Sequence, residues 1–124
     1  MLLARLGERR LMIGGGTLMG LALAVVAFQL PWQLQCVNFV FLGLGFYMLH
    51  GVIQIYASEL APAARGSAMA MHSASFFLGN AFGPVVYGVA LPTAGLAPTV
   101  VVSGAILAGV GVVCARLLRR ERTA

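Results

Sequence analysis

The residues with the clearest capacity for chemistry are polar side chains set in otherwise apolar sequence. Tyr47, His50 and Gln54 recur at spacings of three and four, which places them on one face of a helix, and His72 and Ser75 share such a face. Histidine gains and loses a proton near neutral pH, so either imidazole is able to carry one. In lipid, a polar stripe indicates a water-filled path or contacts between helices. Both interpretations stay open for Tyr47, His50 and Gln54, whereas for His72 a hydrogen bond to a neighbouring helix is favoured.

Enzyme chemistry is not indicated by these residues. The sequence has no paired-acid site, no His, Cys, Asp and Glu cluster with metal-ligand spacing, and no nucleophile elbow. Ser73 and Ser75 lie near His72, but no acid is placed to orient that histidine. The sequence therefore predicts a protein that is not an enzyme and that holds neither a metal nor a cofactor.

The surrounding composition is that of a membrane protein. Of 124 residues, 60% are hydrophobic and 9% are charged, and the mean hydropathy is +0.96. Soluble domains average about 45–50% apolar and about 25% charged residues. The composition excludes a soluble globule and a disordered segment, and two cysteines are too few for a disulfide-rich scaffold.

Two long runs without charge define the predicted spans. No Asp, Glu, Lys or Arg occurs in 11–58 or in 66–115. Each run is too long for one span of about 20 residues and long enough for two. The first run breaks at Pro31 and Trp32, and the second at the turn-rich stretch 92–98. We therefore expect an all-α integral membrane protein, a bundle of four transmembrane helices in one domain over 1–124, with helices near 11–29, 33–57, 67–90 and 97–117 and tails at 1–10 and 118–124.

The positive charges predict the orientation of this bundle. All the arginines precede the first span, lie in the middle loop or follow the last span: Arg5, Arg9, Arg10, Arg65, Arg116, Arg119, Arg120 and Arg122. Because positive charge marks cytoplasmic segments, we expect an inner-membrane protein with both termini in the cytoplasm. The basic residues flank lipid-length segments and do not cluster on a polar surface, so the lipid bilayer, and not nucleic acid, is the expected partner.

Small residues recur at the spacing that brings membrane helices together. The pairs are Gly16 and Gly20, Gly79 and Gly83, and the variant Ala105 and Gly109. Such spacing lets two helix backbones approach closely in lipid. Pro84 follows Gly83, and its ring is expected to bend the third helix. Packing around a fixed kink is favoured over a flexible element that moves during transport.

Three segments resemble the major facilitator superfamily. Residues 56–70, Tyr-Ala-Ser-Glu-Leu-Ala-Pro-Ala-Ala-Arg-Gly-Ser-Ala-Met-Ala, are similar to the loop joining its helices ten and eleven. Residues 77–84, Phe-Leu-Gly-Asn-Ala-Phe-Gly-Pro, are similar to the middle of helix eleven. Residues 4–10 resemble the basic loop between helices eight and nine, with Ala4 in place of the signature's aspartate. The resemblance covers essentially the whole chain and implies helices nine to twelve of a partial major facilitator fold.

The resemblance also implies a function and its residues. The chain would be the C-terminal fragment of a secondary active transporter that moves a small solute by ion-coupled alternating access. In that family the tenth helix lines the central cavity, so the resemblance implies a substrate path that includes Tyr47, His50 and Gln54. Five residues separate Glu59 from Arg65, unlike the six typical of the sugar-transporting branch, and an efflux-type member is preferred.

At the cytoplasmic surface, the charged residues suggest a latch. Glu59 would pair with Arg9, Arg10 or Arg65 and release as the transporter changes state. A solvated pair worth at most about 1 kcal/mol is an equal alternative. Four helices enclose no complete cavity, so the expected partners are the missing N-terminal transporter helices or a partner chain, and transport by this chain alone is not expected.

Two further classes of protein stay open. One is a self-associating four-helix transporter resembling the small multidrug resistance family, which relies on a glutamate in its first helix that 11–29 lacks. The other is a non-transporting structural membrane protein in which the glycines only pack helices.

Overall fold

Four helices make up most of the structure, a computed structural model that describes residues 7–118. They are α1, Glu8–Val26; α2, Trp32–Glu59; α3, Arg65–Ala94; and α4, Leu96–Leu117. A short 3-10 helix, Pro62–Ala64, precedes α3. Each of the four is long and apolar enough to cross a membrane, which confirms the four predicted helices.

The first helix extends beyond its apolar segment at the N-terminal end. It begins at Glu8 and not near residue 11, so Arg9 and Arg10 belong to the helix and not to a tail. The backbone N–H groups of Arg10 and Leu11 donate to the Gly7 carbonyl at 3.1 and 3.2 Å. Arginine and glutamate are good helix formers, so the backbone continues as a helix past the charge-free run.

The third helix continues through two prolines, Pro84 and Pro92. The break between the helices does fall within the predicted stretch 92–98, but Pro92 does not end α3, which continues past its predicted end near residue 90 to Ala94. A proline removes only its own backbone donor from the ladder, and the Thr93 hydroxyl donates to the Val89 carbonyl at 2.7 Å on the same turn. The bend predicted at Pro84 stays a prediction.

The connection between α3 and α4 is a single residue, Gly95. Its φ is +86°, a backbone conformation that glycine adopts without the strain a side chain would add. Its N–H donates to the Leu91 carbonyl at 3.0 Å and closes the last turn of α3. Apart from this connection, α3 and α4 contact each other at few points.

The core of the bundle lies around α1, which packs against both α2 and α4. The buried residues of this core come from α1, α2 and α4: Leu11, Met12, Met19, Leu49, Val52 and Ala115. A polar contact also joins α1 to α2, where the buried Asn38 amide donates to the Ala22 carbonyl at 2.9 Å. In lipid such a bond between helices is worth about 0.6–1.7 kcal/mol.

The closest backbone approach is between α1 and α4. A Cβ placed at Gly104 would lie 2.6 Å from the carbonyl oxygen of Gly20, and one placed at Gly16 would lie 2.9 Å from Cα of Gly111. Only glycine fits at such separations, so Gly16 and Gly20 do lie in a close helix contact. Their partners are Gly104 and Gly111, while Gly109 has no atom within 4 Å in the described part of the chain.

The third helix lies at the edge of the bundle. It contributes no buried residue, and it contacts α2 and α4 at few points. Many of its large apolar side chains are exposed, including Phe77, Phe82, Val85, Val86 and Val89. The helices α1, α2 and α4 therefore form a packed unit, and α3 presents most of its surface outward.

Candidate functional site

The two histidines meet where α2 contacts α3. The ring centroids of His50, on α2, and His72, on α3, lie 5.3 Å apart. Phe46, one turn before His50, stacks on its ring at 4.8 Å with an interplanar angle of 14°. Phe76, one turn after His72, lies 4.9 Å from the His50 ring. We refer to these four residues as the histidine cluster.

One atom of this cluster lacks a hydrogen-bond partner. Among the described residues, Nε2 of His72 is buried and makes no hydrogen bond, so the bond expected from His72 to a neighbouring helix is not made at this atom. An unpaired buried polar group costs about 1–3 kcal/mol. Such atoms are uncommon in native structures, so this one marks the cluster as a place to look for a ligand or a partner.

A cleft lies beside His72, between the end of α2 and the beginning of α3. Its volume is about 260 Å³, and its lining residues are Ala57, Leu60, Ala68, Met71, His72 and Ser75. Ser75, three residues after His72, therefore lies on the same side of α3 as the histidine, as its spacing indicated. The cleft gives the cluster an opening toward the 3-10 turn that joins α2 to α3.

The predicted path residues lie next to the cluster but do not all belong to it. His50 is half-buried against α3, whereas Tyr47 is 76% exposed and Gln54 is also exposed. The Tyr47 ring meets Phe46 edge-on, with centroids 5.8 Å apart. Tyr47 and Gln54 therefore present polar groups on the open side of α2, and their role in a path stays a prediction.

Phe46 and Phe76 were missed by the sequence reasoning. The signal was their spacing, because each lies four residues from a histidine on the same helix and so on the same face. Phenylalanine is common in membrane helices, and nothing in its type separates a ring that packs on a histidine from one that faces lipid. Only the contact between α2 and α3 in the structure shows that these two rings pack against His50.

The end of α1 that carries its charges is joined to α2 by a bond that the sequence did not indicate. The Tyr56 hydroxyl donates to Oε2 of Glu8 at 2.6 Å. Glu8 and Tyr56 are 48 positions apart, and neither lies in a spaced motif with the other. The bond holds the first turn of α1 against the last turns of α2.

The residues of the predicted latch lie at this same end of the bundle. Arg9 and Arg10 are exposed on the first turn of α1, Glu59 ends α2, and Arg65 begins α3. These four residues therefore lie at the end of the bundle where α1 begins, α2 ends and α3 begins. That Glu59 exchanges partners among the arginines stays a prediction.

The second predicted glycine pair has no neighbouring helix in the described part of the chain. A Cβ placed at Gly79 or at Gly83 would meet nothing within 4 Å. The face of α3 that carries both glycines is therefore open beside Pro84. Their role in helix packing stays a prediction.

The comparisons with known proteins agree with a helical membrane transporter. The family profile of the Major Facilitator Superfamily matches residues 1–124, the whole chain. Comparison with curated proteins and with solved structures finds no match. Four apolar helices of spanning length fit a part of that fold. The chain belongs to the major facilitator superfamily, whose members are membrane transporters.

Proposed function

We propose that the chain forms helices nine to twelve, the C-terminal part, of a secondary active transporter of the major facilitator type. Family membership supports the transporter class, and the resemblance of 56–70 and 77–84 to the region of helices ten and eleven supports the numbering. Such a transporter moves a small solute by ion-coupled alternating access, in which one group of helices moves against another around a central site. The proposed direction is efflux.

The observation that carries this proposal is the open surface of α3. This helix has no buried residue, and Phe82 and Val85 are 62% and 64% exposed. Within residues 7–118, nothing lies within 4 Å of a Cβ placed at Gly79 or Gly83, although small residues at this spacing serve to admit another helix in lipid. The surface is suited to the transporter helices that this chain does not contain, or to a partner chain that supplies them.

The proposed substrate path runs along the open side of α2, past Tyr47, His50 and Gln54. Tyr47 and Gln54 are exposed there, and His50 joins them to the histidine cluster. The charge-free runs contain His50 and His72 and no Asp, Glu, Lys or Arg, so an imidazole is the side chain in the spans best suited to pass a proton. We therefore propose the proton as the coupling ion.

The proposed location is the inner membrane, with both termini in the cytoplasm. Arg9, Arg10, Arg65 and Arg116 all lie at the ends of helices, and the turns at the other ends carry no charge. Positive charge is retained on the cytoplasmic side during insertion, which favours this orientation. Four spans return the chain to the side on which it starts.

A transport assay tests the proposal. Everted vesicles from cells that make the complete transporter are compared with vesicles from cells in which residues 1–124 are deleted. Acridine orange reports the proton gradient, and ethidium, tetraphenylphosphonium, and anionic and neutral dyes are the probe solutes. We expect at least one probe to dissipate the gradient in the first vesicles and none to do so in the second.

Liposomes that hold the 124-residue chain alone provide the second arm. We expect no transport from them, because four helices enclose no two-sided cavity. Transport by the chain alone at the rate of the complete protein would contradict the proposal and favour a self-associating four-helix transporter. Equal gradients in both kinds of vesicle across the whole probe set would contradict proton-coupled transport.

A further inference from the structure

An apolar groove runs along the contact between α1 and α4. It has a volume of about 340 Å³ and lies where Gly20 meets Gly104, with sides formed by Leu21, Ala24, Val101 and Ala105. Its size is at the small end of the range of about 300–1,000 Å³ for small-molecule sites. The two glycines form its floor, because the absence of their side chains lets the two helix backbones meet there.

The lining of the groove selects for hydrocarbon. Thr17 is its only residue with a polar side chain, and the Thr17 hydroxyl donates to the Ile13 carbonyl on its own helix at 2.8 Å. No other lining side chain offers a donor or an acceptor. A polar group buried here would lose its hydrogen bonds to water, which costs several kcal/mol in hydrocarbon surroundings, so an alkyl chain fits the groove best.

The groove opens on the side of the bundle away from the histidine cluster. On α1, Ala22 and Gly15 face α2, where they meet Asn38 and Gly45. At about 100° per residue, Thr17, Leu21 and Ala24 lie on the opposite face of the helix. The groove is therefore separated from the proposed substrate path by the thickness of α1.

Two arginines lie in register with the two walls of this groove. Arg10 is eleven positions before Leu21, and Arg116 is eleven positions after Ala105. Eleven residues are about three turns, so each arginine lies on nearly the same helix face as its groove residue, about 16 Å along the axis. That length matches one leaflet of a hydrocarbon core about 30 Å thick.

Both arginines lie at the same end of the groove, and the nearby acid is turned away. The contact of Gly16 with Gly111 shows that the beginning of α1 lies beside the end of α4. Arg10 and Arg116 are exposed there. Glu8 accepts the hydrogen bond of Tyr56, which places its carboxylate on the α2 side of α1. Among the described residues, the charge that borders the groove at this end is therefore positive.

We propose that the groove holds one acyl chain of an anionic phospholipid whose headgroup lies between Arg10 and Arg116. Basic residues between helices at a membrane surface attract anionic headgroups. The headgroup supplies the negative charge, and the chain, reaching about one leaflet inward, covers Gly20 and Gly104. The lipid completes the contact of α1 with α4 on its outer side.

Quenching by brominated lipids tests the site. Trp32 is the single tryptophan of the chain, so the change Trp32→Phe with Leu21→Trp gives one reporter beside the groove. The full chain, isolated together with any helices that accompany it, is placed in phosphatidylcholine vesicles that contain either brominated phosphatidylglycerol or brominated phosphatidylcholine. We expect the anionic lipid to quench the reporter at a lower mole fraction than the neutral lipid does.

The headgroup contacts are tested by charge removal. Each change, Arg10→Gln and Arg116→Gln, is expected to lower the preference for the anionic lipid by about fivefold, the effect of one basic residue at a membrane surface. Arg65→Gln, at the same end but on α3, is the matched control and leaves the preference unchanged. The double variant Arg10→Lys with Arg116→Lys keeps both charges and is expected to keep the preference for the anionic lipid. It therefore distinguishes a loss of charge from a loss of folding.

Three results would overturn the proposal. Equal quenching by the two lipids would show that the headgroup is not recognised. An unchanged preference after both glutamine changes would place the headgroup elsewhere. Weak quenching by both lipids, together with disulfide-linked dimers of a Leu21→Cys variant in which Cys36 and Cys114 are changed to Ser, would show that a second copy of the chain occupies the groove.

Discussion

The imidazole rings of His50 and His72 lie 5.3 Å apart across the contact between α2 and α3. This is one of few contacts that hold α3, since that helix has no buried residue. Two positive charges at this separation repel each other by about 3 kcal/mol at an effective dielectric constant near 20. Protonation of both rings would therefore weaken the contact of α3 with α2. In this way proton binding would be coupled to the position of α3.

The change His50→Ala in the complete transporter is expected to lower the transport rate about tenfold, an increase of roughly 1.4 kcal/mol in the barrier, without changing the amount of protein in the membrane. The measurement is probe transport in vesicles, normalised to protein amount. His50→Phe is the matched variant, because it keeps a ring beside Phe46 but carries no proton, and it is expected to be equally impaired. If the His50→Ala variant transports with wild-type kinetics, His50 is not part of the path. If folded protein is lost instead, the role of His50 is in packing.

The change Gly104→Val is expected to prevent stable packing of α1 on α4. A Cβ at this position meets the Gly20 carbonyl oxygen at 2.6 Å, and backbone cannot yield as a flexible side chain does. Overpacking costs about 1–3 kcal/mol and more where backbone is displaced. Thermal stability in detergent, read by size-exclusion chromatography, measures it. Gly109→Val, on the same helix with nothing within 4 Å, is expected to be tolerated, and equal stability of the two variants would contradict the α1–α4 contact.

The change Asn38→Leu is expected to lower stability by about 1 kcal/mol, the value of one hydrogen bond between membrane helices. The Asn38 amide is buried and donates to Ala22 on another helix. The matched control is Asn80→Leu, because the Asn80 amide donates at 3.2 Å to Phe76 on its own helix and is exposed. Denaturation in mixed micelles compares the two. A larger loss for Asn80→Leu would argue against the described pairing of α1 with α2.

The change Tyr56→Phe is expected to loosen the charged end of α1, with a loss of about 1.5–3 kcal/mol for one hydrogen bond to a carboxylate. Proteolysis near Gly7, followed over time, reports the loosening. Tyr87→Phe, on α3, removes the same hydroxyl group at a site remote from α1 and serves as the control. Cleavage at equal rates in both variants would show that the bond to Glu8 does not hold this end.

The helices were predictable from charge, because a charge-free run of about two spans has few other solutions in lipid. The end of α3 was not predictable in the same way. Proline usually marks a turn, but in the structure the helix continues past Pro92 to Ala94. The start of α1 was also misjudged, because the arginines that end the apolar run are good helix formers.

Helix contacts were less predictable than helices. The spacing of Gly16 and Gly20 indicated a close approach, but it did not name Gly104 and Gly111 as partners, because these are seven positions apart and lack the four-residue motif. Each histidine could be picked out by its type and neighbours. Their meeting depends on the rotation of α2 and α3 about their axes, which a single sequence does not specify.

The central claim is that other transporter helices cover α3, and photo-cross-linking in the native membrane tests it most directly. Benzoylphenylalanine at position 82 replaces Phe82, which is 62% exposed, and the same probe at position 21 replaces Leu21, which is 67% exposed on the face of α1 turned away from α2. The account predicts that position 82 forms an adduct with an apolar helical peptide of a facilitator-type transporter outside residues 1–124, identified by mass spectrometry, while position 21 gives lipid adducts. Adducts at position 82 that contain only lipid, or only residues 1–124 of a second copy, would contradict it.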